Sequence, residues 1–256
     1  MERFALAREL VLQAGAALRE SRLREDEIQH KSGYQDLVTR WDKETEQFLR
    51  RGISEAFPQD IIVGEEYPAA NEGAEGCTWY LDPIDGTTNF VRGLRQSAIS
   101  VALARDGQVE YAVVFDPYKN EMFSARRGGG AFLNGAHIHV SGKPLAEGIF
   151  GMGTAIYRRE YLEPTMRVTE QLFRRACDFR RLGAAALDLC DVACGRVELF
   201  FEYSLCPWDF AAGSLIITEA GGHISTLQGG PLALTERCSV WASNDVNKDI
   251  LRELEI

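Results

Sequence analysis

The sequence predicts an α/β protein in which helices lie in layers against mixed β-sheets. Three patterns lead to this prediction. Apolar residues recur at intervals of three and four over much of the first 57 residues, which is the spacing of amphipathic helices. Short runs of β-branched and aromatic residues follow, and helical and strand patterns then alternate to the end. Because each apolar face must be buried against another element, this order favours layered helices and sheets.

Two helices are predicted before the first strand. The first covers residues 4–23, where apolar side chains alternate with Arg and Glu. After a polar break over residues 30–36, the second runs from about residue 41 to residue 57. It ends before Pro58, because proline cannot continue a helix.

The first two predicted strands end in acidic residues. Residues 61–63 lead into Glu65 and Glu66, and residues 78–81 lead into Asp82. The sequence therefore places carboxylates at strand ends.

An antiparallel meander is predicted next. Residues 97–104 and 109–115 flank Asp106-Gly107, a strong signal for a two-residue hairpin turn. Residues 121–125 and 131–133 continue the pattern.

The second half of the chain alternates helix and strand. The predicted helices are 161–173, 184–193 and 210–220, and the last is closed by Gly221-Gly222. The predicted strands are 197–202, 223–226 and 240–242. A seam over residues 142–153 divides the chain into an N-terminal α+β half, 1–145, and a C-terminal α/β half, 146–256.

Composition limits the classes of function. The 256 residues carry 28 Lys and Arg against 38 Asp and Glu, a net charge of −10, which disfavours nucleic acids and anionic membranes but suits cations. No apolar run reaches the roughly 18 residues of a membrane span, and the first helix is too charged for a signal peptide, so we expect a cytoplasmic protein. We expect the six cysteines to be reduced. Cys190 and Cys194 lack zinc-spaced partners and are predicted core residues.

Two glycine-rich stretches are not nucleotide sites. Residues 127–130 lack the Gly-Lys-Ser/Thr ending of a P-loop and fit a turn between strands. Residues 151–153 lack the third glycine of a dinucleotide fingerprint.

The most informative segment is Trp-Tyr-Leu-Asp-Pro-Ile-Asp-Gly-Thr-Thr-Asn-Phe at residues 79–90. Pro83 fixes the backbone after Asp82, so Asp82 and Asp85 can face one point. If a helix starts at Gly86, the backbone amides of residues 86–88 face the same point and form an anion site. Acidic groups beside anion-binding amides indicate a cation that bridges them.

A divalent metal ion resolves the conflict of charge. Two like charges about 4 Å apart repel by roughly 4 kcal/mol at an effective dielectric constant near 20, so gathering Asp82, Asp85 and Glu65 is costly without compensation. Ligands that are all oxygen select hard cations, and Mg²⁺ prefers one or two carboxylates, water and phosphate oxygens. The pattern therefore indicates the cleavage of a phosphate ester with metal-activated water.

Each feature also has a simpler interpretation when taken alone. Asp85-Gly86 is a turn signal, and Glu65-Glu66 fits a solvated loop. Asp209, which precedes the predicted helix 210–220, fits a helix N-cap. The combination of these features favours the metal site.

These residues resemble the inositol monophosphatases. The resemblance rests on Gly-Glu-Glu at 64–66, Asp-Pro-Ile-Asp-Gly-Thr-Thr-Asn-Phe at 82–90, Pro-Trp-Asp at 207–209 and Ala-Gly-Gly at 220–222, and it covers about residues 31–245. The family belongs to a lithium-sensitive, Mg²⁺-dependent phosphatase superfamily that includes fructose-1,6-bisphosphatase. The resemblance implies a layered αβαβα sandwich of the sugar phosphatase type and a homodimer.

The resemblance also implies the roles of particular residues. The implied ligands of two or three Mg²⁺ ions are Glu65, Asp82, the Ile84 carbonyl, Asp85 and Asp209. Gly86 and Thr87 would hold the phosphate by their backbone amides. Thr87 with Asp42 would orient or deprotonate the attacking water, and Glu65 is the third implied catalytic residue. Asp42 also fits a first-turn helix carboxylate. Glu66 has no implied ligand role.

For the leaving group, the resemblance implies contacts with Glu202, Gly183, Ala184 and Ala185. This sequence departs from the animal enzymes at Ala184, where they have a hydroxyl-bearing residue, and at Cys206, where they have a histidine. The fit to inositol is weaker at these two positions.

The implied activity is Mg²⁺-dependent hydrolysis of a small phosphomonoester, with inositol 1-phosphate as the first expectation. Thr88-Asn89 resembles inositol monophosphatases more than the 3′-phosphoadenosine phosphatases or histidinol-phosphatases, and fructose-1,6-bisphosphatase and NADP phosphatase activities stay open. The alternative of another class is a binding protein, because some bacterial relatives act in transcription and ribosome maturation. The net charge disfavours direct nucleic-acid binding, and the short basic pairs 126–127, 174–175 and 180–181 fit solvated faces.

Overall fold

The computed structural model of the chain describes residues 2–31, 33–73 and 76–256. In these residues the helices are α1 (Arg3–Glu20), α2 (Arg40–Ala56), α3 (Thr87–Val91), α4 (Leu162–Phe173), α5 (Ala185–Ala193) and α6 (Pro207–Glu219). Short 3₁₀ helices cover Glu25–Glu27, Leu145–Glu147, Arg159–Tyr161, Asp245–Asn247 and Ile250–Glu253.

The strands of the same residues form three sheets. They are β1 (Ile28–His30), β2 (Leu37–Thr39), β3 (Ile61–Gly64), β4 (Thr78–Asp85), β5 (Ala98–Arg105), β6 (Gln108–Asp116), β7 (Glu121–Arg126), β8 (Ala131–Leu133), β9 (Ala136–Ile138), β10 (Ile149–Met152), β11 (Asp178–Arg180), β12 (Leu199–Leu205), β13 (His223–Ser225) and β14 (Cys238–Ser243). The first sheet has the order β3-β4-β5-β6-β7-β8-β9, the second β11-β10-β12-β14-β13, and β1 pairs with β2 alone.

The two large sheets are both mixed. In the first, β3 and β4 are parallel and the remaining pairs form an antiparallel meander, as predicted. The predicted Asp106-Gly107 turn connects β5 to β6, and both residues have positive φ angles, 50° and 73°. In the second sheet, β10 is parallel to β11 and β12, and the other pairs are antiparallel.

Helices and sheets alternate in five layers. Helices α1 and α2 pack on one face of the first sheet, and α5 and α6 lie between the two sheets. Helix α4 and the last 3₁₀ helix cover the outer face of the second sheet. The alternation of strand side chains places Tyr80 toward α5 and α6 while its neighbours Trp79 and Leu81 face α1 and α2. The predicted layers of helix against mixed sheet are thus confirmed.

The prediction that no strand precedes residue 61 is wrong, because β1 and β2 form a hairpin between α1 and α2 in which Ile28 pairs with Thr39. Strands β9, β10 and β11 were also missed. Each of these strands has only three or four residues, too few for an alternating pattern to stand out. The predicted division at residues 145 and 146 stays a prediction; the first large sheet is built before it and the second after it.

None of the helices in the described part of the chain is long and apolar enough to cross a membrane.

Gly15 is the point of closest approach between α1 and the first sheet. A Cβ atom here would overlap the ring of Phe115, which is buried in β6. Alanine would gain about 1 kcal/mol of helix propensity, but overpacking a buried ring costs about 1 to 3 kcal/mol. We therefore expect Gly15→Ala to lower the free energy of unfolding in a denaturant titration. Gln13→Ala, on the exposed face of the same helix, is the control and is expected to change it by less than about 0.5 kcal/mol.

Candidate active site

A bulge at the end of β4 turns two aspartates to the same side of the sheet. Asp82 pairs with Ser100 and Asp85 with Ala98, so three steps along β4 oppose two steps along β5. Residues three apart in a regular strand face opposite sides, and the one extra residue of a bulge restores the same side. Asp82 and Asp85 consequently line one cleft between the two large sheets, and β4 continues past the predicted end at residue 81.

Backbone amides hold both aspartates. The Asp82 Oδ1 accepts a hydrogen bond from the Ile84 N–H at 3.0 Å. The two Asp85 oxygens accept bonds from Ala185 and Ala186, at 3.1 and 2.7 Å, where α5 begins. Burial raises the pKa of both carboxyls, that of Asp85 to about 7, and nearby Glu65 raises both further. Keeping these groups ionised therefore needs positive charge in the cleft.

Glu65 enters the cleft from the end of β3, which runs parallel to β4. The Lys31 Nζ lies 3.0 Å from Glu65 Oε1 and also pairs with Glu66. Burial and the neighbouring Glu65 raise the pKa of Glu66 to about 7 despite this ion pair. The buried Glu46 accepts hydrogen bonds from the N–H of Glu66 and of Tyr67, which fixes the turn that carries Glu65.

Asp209 completes the group of carboxylates from the opposite side. It is the third residue of α6, and the N-cap of this helix is Cys206, so the N-cap interpretation of Asp209 is wrong. Its Oδ2 accepts a hydrogen bond from the Cys206 N–H at 2.7 Å. Burial, followed by the charge of Glu65, raises the pKa of Asp209 well above its usual range. Pro207 in the first turn explains why α6 starts earlier than predicted.

Gly86 lies where three segments approach closely. Its φ angle is +86°, and a Cβ would be 3.0 Å from the Gln96 carbonyl oxygen and 3.1 Å from the Ala184 side chain. Glycine therefore suits both the conformation and the available space. Gly86, Thr87 and Thr88 all line the cleft beside the carboxylates.

Asp42 and Thr87 are brought into contact. The Thr87 Oγ1 lies 3.0 Å from Asp42 Oδ1 and 3.1 Å from the Ile84 carbonyl oxygen, and its proton can be donated to one of them at a time. Thr39 caps α2 and donates to Asp42 through its N–H and its hydroxyl. Burial raises the pKa of Asp42 to about 6 even though these bonds oppose it. Asp42 lies behind Thr87 rather than in the cleft wall.

Most of the residues predicted for the leaving group also line the cleft. Glu202, Gly183 and Ala185 do, whereas Ala184 is buried against Gly86. The Glu202 Oε1 accepts a bond from the Ala155 N–H at 2.8 Å, and burial raises its pKa to about 7 although a small part of the side chain stays exposed to the cleft. A Cβ on Gly153 would overlap the Glu202 carboxylate. Gly151 thus lies within β10, and Gly153 leaves room for the Glu202 carboxylate.

The charges of the cleft fit a hard cation. Burial, followed by the charge of Glu65, raises the pKa values of Asp82, Asp85 and Asp209. In the described part of the chain the only ion pair to any of these four carboxylates is from Lys31 to Glu65. Within the same ranges no group of three or more acidic, His or Cys side chains is arranged to hold a metal ion by itself. A metal ion here would take its remaining ligands from water and phosphate, which is the coordination that Mg²⁺ favours.

Sequence reasoning missed several residues of the cleft wall: Tyr157, Arg181, Asp188 and Arg237. Arg181 was interpreted as part of a solvated basic pair. Asp188 is an acid in a helix whose residues are all buried, and this contrast was a signal in the sequence. The other two lie in loops that no local pattern connects to the site.

Comparison with known proteins identifies the family. The profile of the inositol monophosphatase family matches residues 1–255. The chain belongs to the inositol monophosphatase family. The Nus factor SuhB of Escherichia coli K12 is 43% identical over 199 residues, which are 77% of this chain and 74% of SuhB.

Solved structures of relatives share the inositol monophosphatase fold over nearly the whole chain. The extragenic suppressor protein SuhB of Bartonella henselae has a TM-score of 0.91 and 29% identity, covering 97% of this chain and 96% of its own. The IMPase of Thermotoga maritima has a TM-score of 0.89 and 34% identity, covering 99% and 96%. The recognition of the family and the expected fold are both confirmed.

Proposed function

We propose that this chain is a Mg²⁺-dependent phosphatase that hydrolyses a small phosphomonoester, with inositol 1-phosphate as the preferred substrate. The proposal is carried by one observation: Glu65, Asp82, Asp85 and Asp209 line a single cleft together with residues 86–88. The family generally uses Mg²⁺, and the relative from Thermotoga is named an IMPase.

Under this proposal, Glu65, Asp82, the Ile84 carbonyl, Asp85 and Asp209 hold two or three Mg²⁺ ions. When bound, the metal supplies activation of water and stabilisation of the departing alkoxide. The amides of Gly86 and Thr87 bind and orient the phosphate.

Thr87 and Asp42 form the proton path in this proposal. Thr87 lines the cleft and its hydroxyl contacts Asp42 behind it, so in this proposal the hydroxyl accepts a proton from water as it donates its own to Asp42. A pKa of about 6 for Asp42 lies near the operating pH, which suits a general base. Glu65, whose charge acts on Asp42, is the third catalytic residue in this proposal.

Phosphate release across a panel of substrates tests the proposal. The panel contains inositol 1-phosphate, fructose 1,6-bisphosphate, NADP, 3′-phosphoadenosine 5′-phosphate and histidinol phosphate, each with Mg²⁺ and with EDTA. We expect release that requires Mg²⁺ and is fastest with inositol 1-phosphate. If another substrate of the panel is hydrolysed fastest, the proposed preference for inositol 1-phosphate is wrong but the phosphatase activity stands. If none of the substrates releases phosphate in a Mg²⁺-dependent way, the proposed phosphatase activity is refuted.

The name of the SuhB relative favours a second candidate, a Nus-factor role. A net charge of −10 disfavours direct RNA binding, so the partner in this proposal is a protein of the transcription machinery. A pull-down with purified RNA polymerase, with wild type and with Asp85→Asn, tests it. Retention of polymerase by both supports a binding role separate from catalysis, and retention by neither removes it.

A homodimer is proposed from the family resemblance, and light scattering of the purified chain measures it.

A further inference from the structure

Helix α2 carries a buried ion pair that the proposed chemistry does not use. The Glu46 carboxylate is fully buried, the Arg50 side chain is 14% exposed, and Arg50 Nε lies 2.6 Å from Glu46 Oε1. A buried ion pair is often no more stabilising than apolar side chains of similar volume in the same place. The stability of the fold alone therefore does not explain this pair.

Glu46 holds the turn that follows β3. Its Oε2 accepts a hydrogen bond from the Glu66 N–H at 2.7 Å, and its Oε1 accepts one from the Tyr67 N–H at 3.2 Å. A Cβ on Gly64 would overlap the same carboxylate. Glu46 thus lies against the backbone both before and after Glu65, the proposed metal ligand.

Arg50 and Gln47 hold the end of the same turn. Arg50 Nη2 donates to the Tyr67 carbonyl oxygen at 2.9 Å, and Gln47 Nε2 donates to the Tyr67 hydroxyl at 2.6 Å. The planar fork of Arg50 therefore joins the Glu46 carboxylate to the backbone of the turn. The Glu65 side chain is itself 22% exposed, so its direction depends on the backbone that these residues hold.

The same face of α2 also carries Asp42. Asp42 precedes Glu46 by four residues, a spacing that places both side chains on one face of a helix, and both are buried. Asp42 Oδ1 lies 3.0 Å from the Thr87 hydroxyl oxygen. One helix therefore fixes the position of Glu65 relative to the proposed proton path.

We propose that Glu46 and Arg50 are positioning residues that hold Glu65 in the direction in which it binds Mg²⁺, and that they set the affinity for Mg²⁺ rather than the rate of the chemical step. The inference rests on the phosphatase proposed above, in which Glu65 is a metal ligand. Two adjacent N–H donors and a guanidinium need an acceptor with two oxygens, which a carboxylate supplies. Loss of a residue that orients a metal ligand typically lowers metal affinity by about 10- to 100-fold.

Glu46→Gln tests the inference, because it keeps the size of the side chain but turns an NH₂ group toward an N–H donor. After removal of metal with EDTA and dialysis, we expect calorimetric titration to give a Kd for Mg²⁺ that is about 10- to 100-fold higher than that of the wild type. At saturating Mg²⁺, kcat with inositol 1-phosphate is expected to stay within about threefold of the wild-type value. Without metal, the amides of residues 64–67 are expected to exchange hydrogen about tenfold faster, as measured by mass spectrometry.

Arg50→Lys is the second variant. It keeps a positive charge beside Glu46 but lacks the planar fork, so we expect a smaller rise in the Kd for Mg²⁺, about 3- to 10-fold, the size of one lost hydrogen bond. If Glu46→Gln does not fold, as judged by its melting transition, Arg50→Lys decides.

The matched control is Glu198→Gln, the same change at another buried carboxylate. Glu198 is 3% exposed, accepts hydrogen bonds from the Ile149 N–H and the Ser141 hydroxyl, and lies outside the cleft wall. This variant is expected to keep the Kd for Mg²⁺ within about twofold of the wild-type value, whatever its effect on the melting temperature.

The outcomes separate this inference from the phosphatase. An unchanged Kd for Mg²⁺ or unchanged exchange at residues 64–67 in the folded variants would overturn the inference and leave the phosphatase intact, and so would a loss of kcat that saturating Mg²⁺ does not restore. Weakened Mg²⁺ binding in the variants of a chain that releases no phosphate would support the inference and overturn the phosphatase. No Mg²⁺ binding by the wild type would overturn both.

Discussion

Asp85→Asn is expected to lower kcat for phosphomonoester hydrolysis by about 10³-fold or more while the chain stays folded. Asp85 is buried at the junction of β4 and α5, where it faces the cleft and accepts two bonds from the start of α5. Asparagine keeps one oxygen for the shorter of these bonds but removes the negative charge that a metal ion needs. The loss of a buried charge with a raised pKa also offsets the weakened bond, so the melting temperature is expected to change little.

Three measurements check this result: steady-state kinetics with Mg²⁺, calorimetric titration of Mg²⁺ into the protein, and thermal melting. The control is Asp26→Asn, the same chemical change at an exposed aspartate, for which all three values should match those of the wild type. A rate near that of the wild type in the folded Asp85 variant would refute the proposed metal site.

The part of the site that is local in sequence could be predicted from sequence alone. The residues at 82–88 suggested carboxylates beside anion-binding amides, and the fold places them along one wall of the cleft. The bulge that achieves this could not be anticipated, because it depends on the pairing of β4 with Ser100 and Ala98 of β5. The local sequence pattern thus predicted which residues lie together in the site, whereas the pairing of β4 with β5 determines how their side chains are oriented.

The opposite wall required information that no local pattern holds. Asp209 and Glu202 follow Asp82 by more than 100 residues, and their placement came from the family resemblance. Asp188 and Arg181 are absent from that prediction because their position in the cleft wall depends on how α5 and the segment before it pack between the sheets. Strand β10 was missed for a related reason: its two glycine-flanked apolar residues look like a loop, and only its pairing with β11 and β12 makes it a central strand.

The metal-free protein is expected to become less stable as the pH rises from about 4 to about 7, and saturating Mg²⁺ is expected to remove this loss. Burial raises the pKa of Asp42 to about 6 and the pKa values of Asp85 and Glu202 to about 7 in the folded state. A carboxyl whose folded pKa is raised binds its proton more tightly in the folded state. Its contribution is fully present below the unfolded pKa near 4 and is lost as the pH rises through the folded value.

Each unit of raised pKa corresponds to about 1.4 kcal/mol, so ionisation of the three groups lowers the free energy of unfolding by several kcal/mol over this pH range. Asp60 is hydrogen-bonded to Arg3 and has a lowered pKa, so it changes stability in the opposite direction, but only near and below pH 4. It therefore has little effect on stability between pH 4 and pH 7. A metal ion that binds the ionised carboxylates stabilises the folded state by mass action, and does so more strongly at higher pH. Denaturant titrations in EDTA and in Mg²⁺ at several pH values measure both effects. Asp85→Asn should reduce the pH dependence of the free energy of unfolding in EDTA and weaken the stabilisation by Mg²⁺. A metal-free stability that rises toward pH 7 would show that burial does not raise the pKa values of these carboxyls.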